Sequence, residues 1–293
     1  MSLQSYPPMP ASEPGLRPAK ESTVAPAIEV RKLSISFEEH AVLDNVSFRV
    51  REGETKVILG ESASGKTVLI KLISGLIKPD SGKVFIFGKE ITPLSEDELM
   101  SIRKDIGVVF QESALFDSLS VLENVAYRLH EEGGHSETEI EERVSEVLGF
   151  VGLEQTMNLM PSDLSGGMKR RVSIARALIT HPKIILYDEP TAGLDPLTGR
   201  TIVELILRLR DLEGVSSVLV THRLTDAFTV ASERFQDPNG EASRPRLKGR
   251  SQQRAELLTS FVVLKNGGVF FDGSEEELLA AQKQQPFIRE FLS

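Results

Sequence analysis

The chain has 293 residues, and its 34 Lys and Arg against 43 Asp and Glu leave a net charge of −9. That acidity argues against a general nucleic-acid coat, because nonspecific binding is largely neutralisation of phosphate by basic residues. The absence of cysteine excludes disulfides, iron–sulfur clusters, thiolate zinc sites and cysteine nucleophiles.

Residues 1–27 open with a Pro-rich stretch, carrying Pro7, Pro8, Pro10, Pro14, Pro18 and Pro26 among few apolar residues. This composition predicts a disordered tail, with room for a short linear binding motif. One domain then runs over 28–293. Short β-type runs follow at 28–37, 46–50, 56–59, 84–87, 106–110, 184–187, 217–220, 261–264 and 269–271. Helical patterns lie between several of them. The clearest spans Pro196 to Glu213, where Ile202, Leu205, Ile206, Leu209 and Leu212 recur at helical spacing. Asp195 suits its N-cap, Pro196 its first turn and Gly214 its stop. Strands alternating with helices predict a parallel α/β core. The first strands lack intervening helices and predict an antiparallel β flank. Residues 128–146, with seven acids and two bases, read as a solvated helix face. Residues 236–258 have the opposite charge and carry Pro and Gly, as a long irregular loop would. Ser274 followed by three glutamates starts a last helical stretch, 274–293. There Phe287, Ile288, Phe291 and Leu292 share a face that packs on its own domain or on a second subunit. No run approaches the roughly 18 apolar residues of a membrane span, and no apolar leader is present. The expectation is a chain that neither crosses nor enters a bilayer.

Gly60-Glu61-Ser62-Ala63-Ser64-Gly65-Lys66-Thr67 fits the phosphate-loop pattern G-x-x-x-x-G-K-[ST]. A polyphosphate needs donors and positive charge without bulk. Glycines let backbone N–H groups converge on it, and the following helix adds its positive end. Lys66 would reach the β- and γ-phosphates and the Thr67 hydroxyl would meet Mg²⁺. The context agrees, with a strand before the loop and a helical run, 67–74, after it. A second apolar strand, from Ile184 to Tyr187, ends in Asp188 and Glu189. Asp188 would hold Mg²⁺ through its water shell. Glu189 would stand by the γ-phosphate and act on the attacking water as general base. ATP and Mg²⁺ are the ligands implied.

Leu164-Ser165-Gly166-Gly167-Met168 is similar to the signature motif of ABC-transporter ATPases. The resemblance covers about residues 28–293 apart from the basic segment. It implies an α/β P-loop NTPase core with an antiparallel β flank and a helical subdomain near 112–168. It places Phe37 against adenine, and gives Gln111 to Mg²⁺ and the attacking water. Leu194-Asp195 resembles the D-loop, and Thr221-His222 resembles the switch histidine, which steadies the γ-phosphate and water. It further implies an ATP-dependent dimer, in which Ser165, Gly166, Gly167 and Asp195 of one subunit cover ATP held on the other by Phe37, Gly60 to Gly65, Lys66 and Thr67. Independently of the resemblance, Ser165 to Gly167 open a helix whose N–H groups make a second anion site.

Within that family the chain resembles the Mla/Mce-type ATPases of phospholipid transport. The residues carrying this are Phe110 to Leu119, Glu123 to Tyr127, and Leu159 to Met168, with Met168 typical of the subgroup. The resemblance implies a lipid cargo, an integral-membrane permease with an Mce-type substrate-binding subunit, and a place on the cytoplasmic face of the inner membrane. Nucleic acid is not an expected partner. Ala114, Leu115 and Phe116 suit a groove for a permease helix or pack within the helical subdomain. Three departures stand out. Ala63 replaces a common glycine and strains the loop if its φ is positive, with lower nucleotide affinity as a consequence. Arg223 follows the histidine where Asp is common. The basic segment is an insertion, either mobile or in contact with an anionic bilayer or the permease. Rival readings are an ABC ATPase serving another cargo or a cell-division complex, a non-transport ABC protein acting on DNA or ribosomes, and a nucleotide-sensing scaffold.

Overall fold

A computed structural model describes residues 25–235 and 259–292. The Pro-rich stretch up to residue 24 and the basic segment 236–258 lie outside the described residues, and so do the expectations placed on them. Ala27 is already fully buried, so packing begins just ahead of the first strand.

In chain order the strands are β1 (Ile28–Phe37), β2 (His40–Val50), β3 (Thr55–Gly60), β4 (Ser81–Ile86), β5 (Lys89–Glu90), β6 (Ile106–Val109), β7 (Ile184–Asp188), β8 (Ser216–Val220), β9 (Thr259–Lys265) and β10 (Gly268–Ser274). The helices are α1 (Lys66–Ile73), α2 (Glu96–Arg103), α3 (Val121–Glu132), α4 (Glu137–Phe150), α5 (Gly166–Leu178), α6 (Pro196–Glu213), α7 (Leu224–Ser232), α8 (Glu275–Gln284) and α9 (Pro286–Phe291). Six strands form the main sheet in the order β10-β9-β3-β8-β7-β6. They are parallel from β9 to β6, and β10 turns back antiparallel on β9. A second, antiparallel sheet runs β2-β1-β4-β5.

β3, β7 and β8 are buried along their whole length, as strands covered on both faces must be. Alternation then sends Val57, Leu59, Ile185, Tyr187 and Leu219 to one face, where α5, α6 and the helical region α3–α4 pack. Ile58, Leu186, Val218 and Val220 go to the other, with α1 and the antiparallel sheet. β7 and β8 end level, Asp188 pairing with Val220, and β3, whose Ile58 pairs with the same Val220, runs two residues further to Gly60. Their carboxyl ends open on one crevice, the usual ligand edge of such a sheet.

The predicted helix over 196–213 is observed, with Asp195 as N-cap and Gly214 in the left-handed region at φ 61°. Three features differ from the sequence reading. β2 starts at His40, because His-Ala-Val-Leu-Asp-Asn pairs with β1 across bulges despite its weak β composition. The acidic stretch 128–146 is two helices, broken at Gly133 and Gly134, and α4 restarts on a Ser136–Glu139 capping box. β5 and α2 went unread, although Ser95 and Glu98 form a capping box at the start of α2. The C-terminal helices pack on their own domain, with Leu278 and Ile288 fully buried.

Arg210 and Asp211 near the end of α6 tie down both flanks of the segment 236–258. Asp211 accepts from Phe235 N at 2.7 Å, and Arg210 donates to Thr259 Oγ1 at 3.2 Å. At the amino end of β3, Glu54 and Lys56 are 4% and 5% exposed. Lys56 Nζ lies 3.4 Å from Glu54 and 3.0 Å from Asp272, and Glu54 also accepts from Ser260 and from Arg51 N. Glu54→Ala leaves Lys56 its Asp272 partner but orphans the Arg51 N–H and Ser260 hydroxyl donors. It is expected to cost about 2 kcal/mol in urea unfolding; a loss below about 0.5 kcal/mol would show that these donors find other acceptors.

Candidate functional site

The loop between β3 and α1 is shaped by close approach. Gly65 has φ 90°, and a Cβ there would lie 2.5 Å from Leu43 Cδ2 and 3.0 Å from Val42 O. Ala63 takes φ 62°, so the methyl group is carried in a left-handed conformation, as the sequence reading feared. Lys66 is 7% exposed, and its ammonium donates to Gly60 O and Glu61 O, both at 2.9 Å. Burial lowers its pKa, opposed by Glu189 and Asp188. Ser64 Oγ is buried and finds no hydrogen-bond partner among the described residues. An orphaned hydroxyl within a cradle of loop amides fits an anionic ligand.

Across the crevice, Thr67 Oγ1 donates to Asp188 Oδ1 at 3.0 Å. Burial raises the Asp188 pKa; Thr67 counters it, and the neighbouring Glu189 charge adds to it. Glu189 has φ 48° and its side chain is 9% exposed. One carboxylate oxygen lies 4.0 Å from the Lys66 ammonium. The other lies 2.8 Å from His222 Nδ1 and accepts from His222 N at 3.4 Å. Three strands thus deliver Lys66, Glu189 and His222 into contact, with half of the imidazole open to solvent. A buried carboxylate held beside a cation and an imidazole is equipped to orient and deprotonate a water.

The remaining sequence-predicted residues sit around this centre. The Gln111 side chain is exposed, and its backbone carbonyl accepts from Arg170. Phe37 is 47% exposed at the β1–β2 turn, so its ring is free to meet a planar ligand. Ser165 caps α5, accepting from Met168 N at 3.2 Å. A Cβ on Gly167 would lie 2.2 Å from Thr198 Cγ2, so this glycine is also demanded by the contact of α5 with α6. Asp195 accepts from Leu197 N at 3.1 Å and Thr198 N at 3.0 Å, and its bond to Thr198 lowers its pKa. No hydrogen bond or ion pair among the described residues joins Ser165 to Gly167 or Asp195 to the phosphate loop.

Of the polar residues that hold the neighbouring loops, Arg170 and Arg176 were not singled out in the sequence. Arg170 donates to the carbonyls of Phe110 and Gln111. Arg176 donates to Ser113 O at 2.9 Å and Ala114 O at 2.7 Å, where both residues have positive φ. Asn124, fully buried, brackets Phe116 by accepting from its N and donating to its O. Leu115 packs inward, while Ala114 and Phe116 face out, with the Phe116 ring centroid 4.7 Å from that of Tyr127. Arg223 fastens the histidine loop: it donates to Thr191 O at 3.2 Å and lies 3.5 Å from Asp226, which accepts from the Thr191 hydroxyl. Asn at the fourth residue past a Ser cap has no sequence signature for loop bracketing. Nor does an arginine that bonds carbonyls about 60 residues away.

A family model described as ABC transporter matches residues 43–192. The chain is 44% identical over 213 residues to protein TRIGALACTOSYLDIACYLGLYCEROL 3, chloroplastic, of Arabidopsis thaliana, covering 67% of this chain and 61% of that one. It is 42% identical over 200 residues to the methionine import ATP-binding protein MetN of Carboxydothermus hydrogenoformans, covering 67% and 59%. It is 38% identical over 211 residues to the intermembrane phospholipid transport system ATP-binding protein MlaF of Escherichia coli, covering 72% and 78%. The matches thus span about three-fifths of the first two relatives' length. Among solved structures, the dimeric post-hydrolysis state of the ATP-binding cassette MJ0796 with ADP and Pi superposes with a TM-score of 0.69. It is 34% identical, and the match covers 84% of this chain and 98% of that one.

A left-handed alanine costs about 1 kcal/mol relative to glycine in that conformation. Ala63→Gly is therefore expected to raise the urea unfolding free energy by some tenths to about 1 kcal/mol, after the entropy of the added glycine. Destabilisation would show that the methyl packs better than its φ suggests.

Proposed function

Since the chain belongs to the ABC transporter family, we propose that it is an ATP-hydrolysing subunit that drives a membrane permease. The observation carrying this is the junction of Lys66, Glu189 and His222 at the ends of β3, β7 and β8, within 4.0 Å and 2.8 Å of one another. Lys66 and the loop amides hold the phosphate chain of ATP, and the α1 N-terminus adds its dipole. Glu189 takes a proton from the attacking water. The water oxygen bonds to the γ-phosphorus as the bond to the bridging oxygen breaks, leaving ADP and phosphate. His222, already on the Glu189 carboxylate, steadies both that group and the γ-phosphate. Thr67 and Asp188 offer hard oxygens 3.0 Å apart, a donor set that suits Mg²⁺ together with Gln111. The ion would neutralise charge on the phosphates.

One chain carries one phosphate loop and one capped α5 start. Two copies would therefore build two composite sites, with Ser165, Gly166, Gly167 and Asp195 of each covering ATP on the other. The dimeric state of the solved cassette supports this arrangement. The cargo we propose is phospholipid or a related lipid, supported by likeness to MlaF and by the exposed Ala114 and Phe116 beside Gln111, a foothold for a permease helix. An Mce-type substrate-binding subunit would complete the assembly, with this chain on the cytoplasmic face of the inner membrane. Among the described residues no helix is long and apolar enough to cross a membrane, so attachment would run through the permease. Likeness to MetN favours a second reading, the same ATPase serving a different cargo.

Glu189→Gln is expected to abolish turnover while keeping ATP binding and yielding an ATP-dependent dimer; full hydrolysis would remove the general-base role. Lys66→Ala is expected to lose nucleotide binding, and unchanged ATP affinity would take Lys66 out of the site. Purification from source membranes in mild detergent, with mass analysis, tests the cargo. A multispan permease with a single-span Mce-type chain and bound phospholipid supports it. A different permease discards the cargo and keeps the chemistry; no membrane partner favours a non-transport ABC protein.

A further inference from the structure

Arg170 is 4% exposed, and no carboxylate forms a direct ion pair with it among the described residues; the Asp188 charge acts on it only from a distance. Its guanidinium is held by backbone oxygens instead. Nη1 donates to Phe110 O, and Nη2 donates to Gln111 O and reaches Ala192 O at 3.5 Å. Its Nε is buried without a hydrogen-bond partner among the described residues. A buried cation left unpaired is expensive, so three carbonyls from two separate loops are a demanding arrangement rather than an incidental one. The three points it joins are distinct. Phe110-Gln111 leads out of β6. Ala192 closes the turn that begins at Glu189, with Ala192 N donating to Glu189 O at 3.0 Å. Arg170 itself rides on α5, close behind the Ser165 cap. The planar fork of an arginine reaches two acceptors at fixed angles, and a lysine reaches them only as a point charge.

We propose that Arg170 is a positioning residue for hydrolysis. It locks Gln111, the Glu189–Ala192 turn and the start of α5 into one unit, so that a shift of the Gln111 loop is felt at both the general base and the capped helix. This rests on the ATPase reading above. It concerns the hydrolytic geometry and leaves the phosphate cradle untouched.

The test is steady-state hydrolysis by the full chain, with binding of MANT-labelled ATP measured alongside. Arg170→Ala is expected to lower kcat about tenfold or more, the scale of a small misplacement at a reacting group. KM and MANT-ATP affinity should stay within about twofold, since Lys66 and the loop amides are unchanged. Arg170→Lys should recover part of kcat, and it carries the test if the alanine variant does not fold. In a Gln111→Ala background the Arg170 substitution should add less than its effect alone, because the two act on one geometry. Full additivity, a kcat within twofold of wild type, or a parallel loss of MANT-ATP affinity would each overturn the proposal. A wild-type chain that binds MANT-ATP without hydrolysing ATP would instead sink the ATPase reading, and this inference with it.

Discussion

Val220 pairs with Ile58 on one side and with Asp188 on the other, and this shared register sets the geometry of the whole crevice. β7 and β8 stop together at this pair, and β3 runs on for two residues to open the phosphate loop at Gly60. Slip β7 by one residue and its alternation inverts: Tyr187 would turn to the opposite face and Glu189 would leave the Lys66 ammonium. Burial on both faces makes such a slip costly, since Ile184 to Leu186 and Val218 to Val220 are almost wholly excluded from solvent. Precision at the site is thus inherited from the apolar core and does not depend on the polar groups themselves.

Those polar groups oppose one another, and the sheet holds them in place. Asp188 and Glu189 are adjacent acids, and the Glu189 charge adds to the cost that burial already puts on charging Asp188. Lys66 eases the charging of Asp188, at its own cost of desolvation. Glu189 sits at a positive φ unusual for its type, a strain that persists only where surroundings over-determine it. The Arg223–Asp226–Thr191 contacts are part of that surrounding frame.

The core and the phosphate loop were legible because they are local. A run such as Ile184 to Tyr187 ending in two acids, or glycines flanking a Lys-Thr pair, states its geometry in a few consecutive residues. The helix after Asp195 declared its cap, first turn and stop. What escaped was relational. His40 to Asn45 joins a strand only because β1 lies beside it. Gly133-Gly134 is an interruption that charge counting over 128–146 averages away. Arg170, Arg176 and Asn124 hold loops whose carbonyls lie far away in sequence or carry no side-chain signal, so no motif announces them. Gly167 was noted for an anion and for a partner subunit, while the single chain already needs it for contact with Thr198.

The Arg210–Asp211 pair has a consequence for how such a chain can diversify. Phe235 and Thr259, the described residues on either side of 236–258, are moored to adjacent side chains at one anchorage. Loop closure depends only weakly on length, about 0.6 kcal/mol for each doubling. Sequences of other sizes can therefore be spliced at this point without retuning β9 or the crevice. The anchorage works as an interchangeable fitting: what is carried between its two posts can change while the crevice stays as it is.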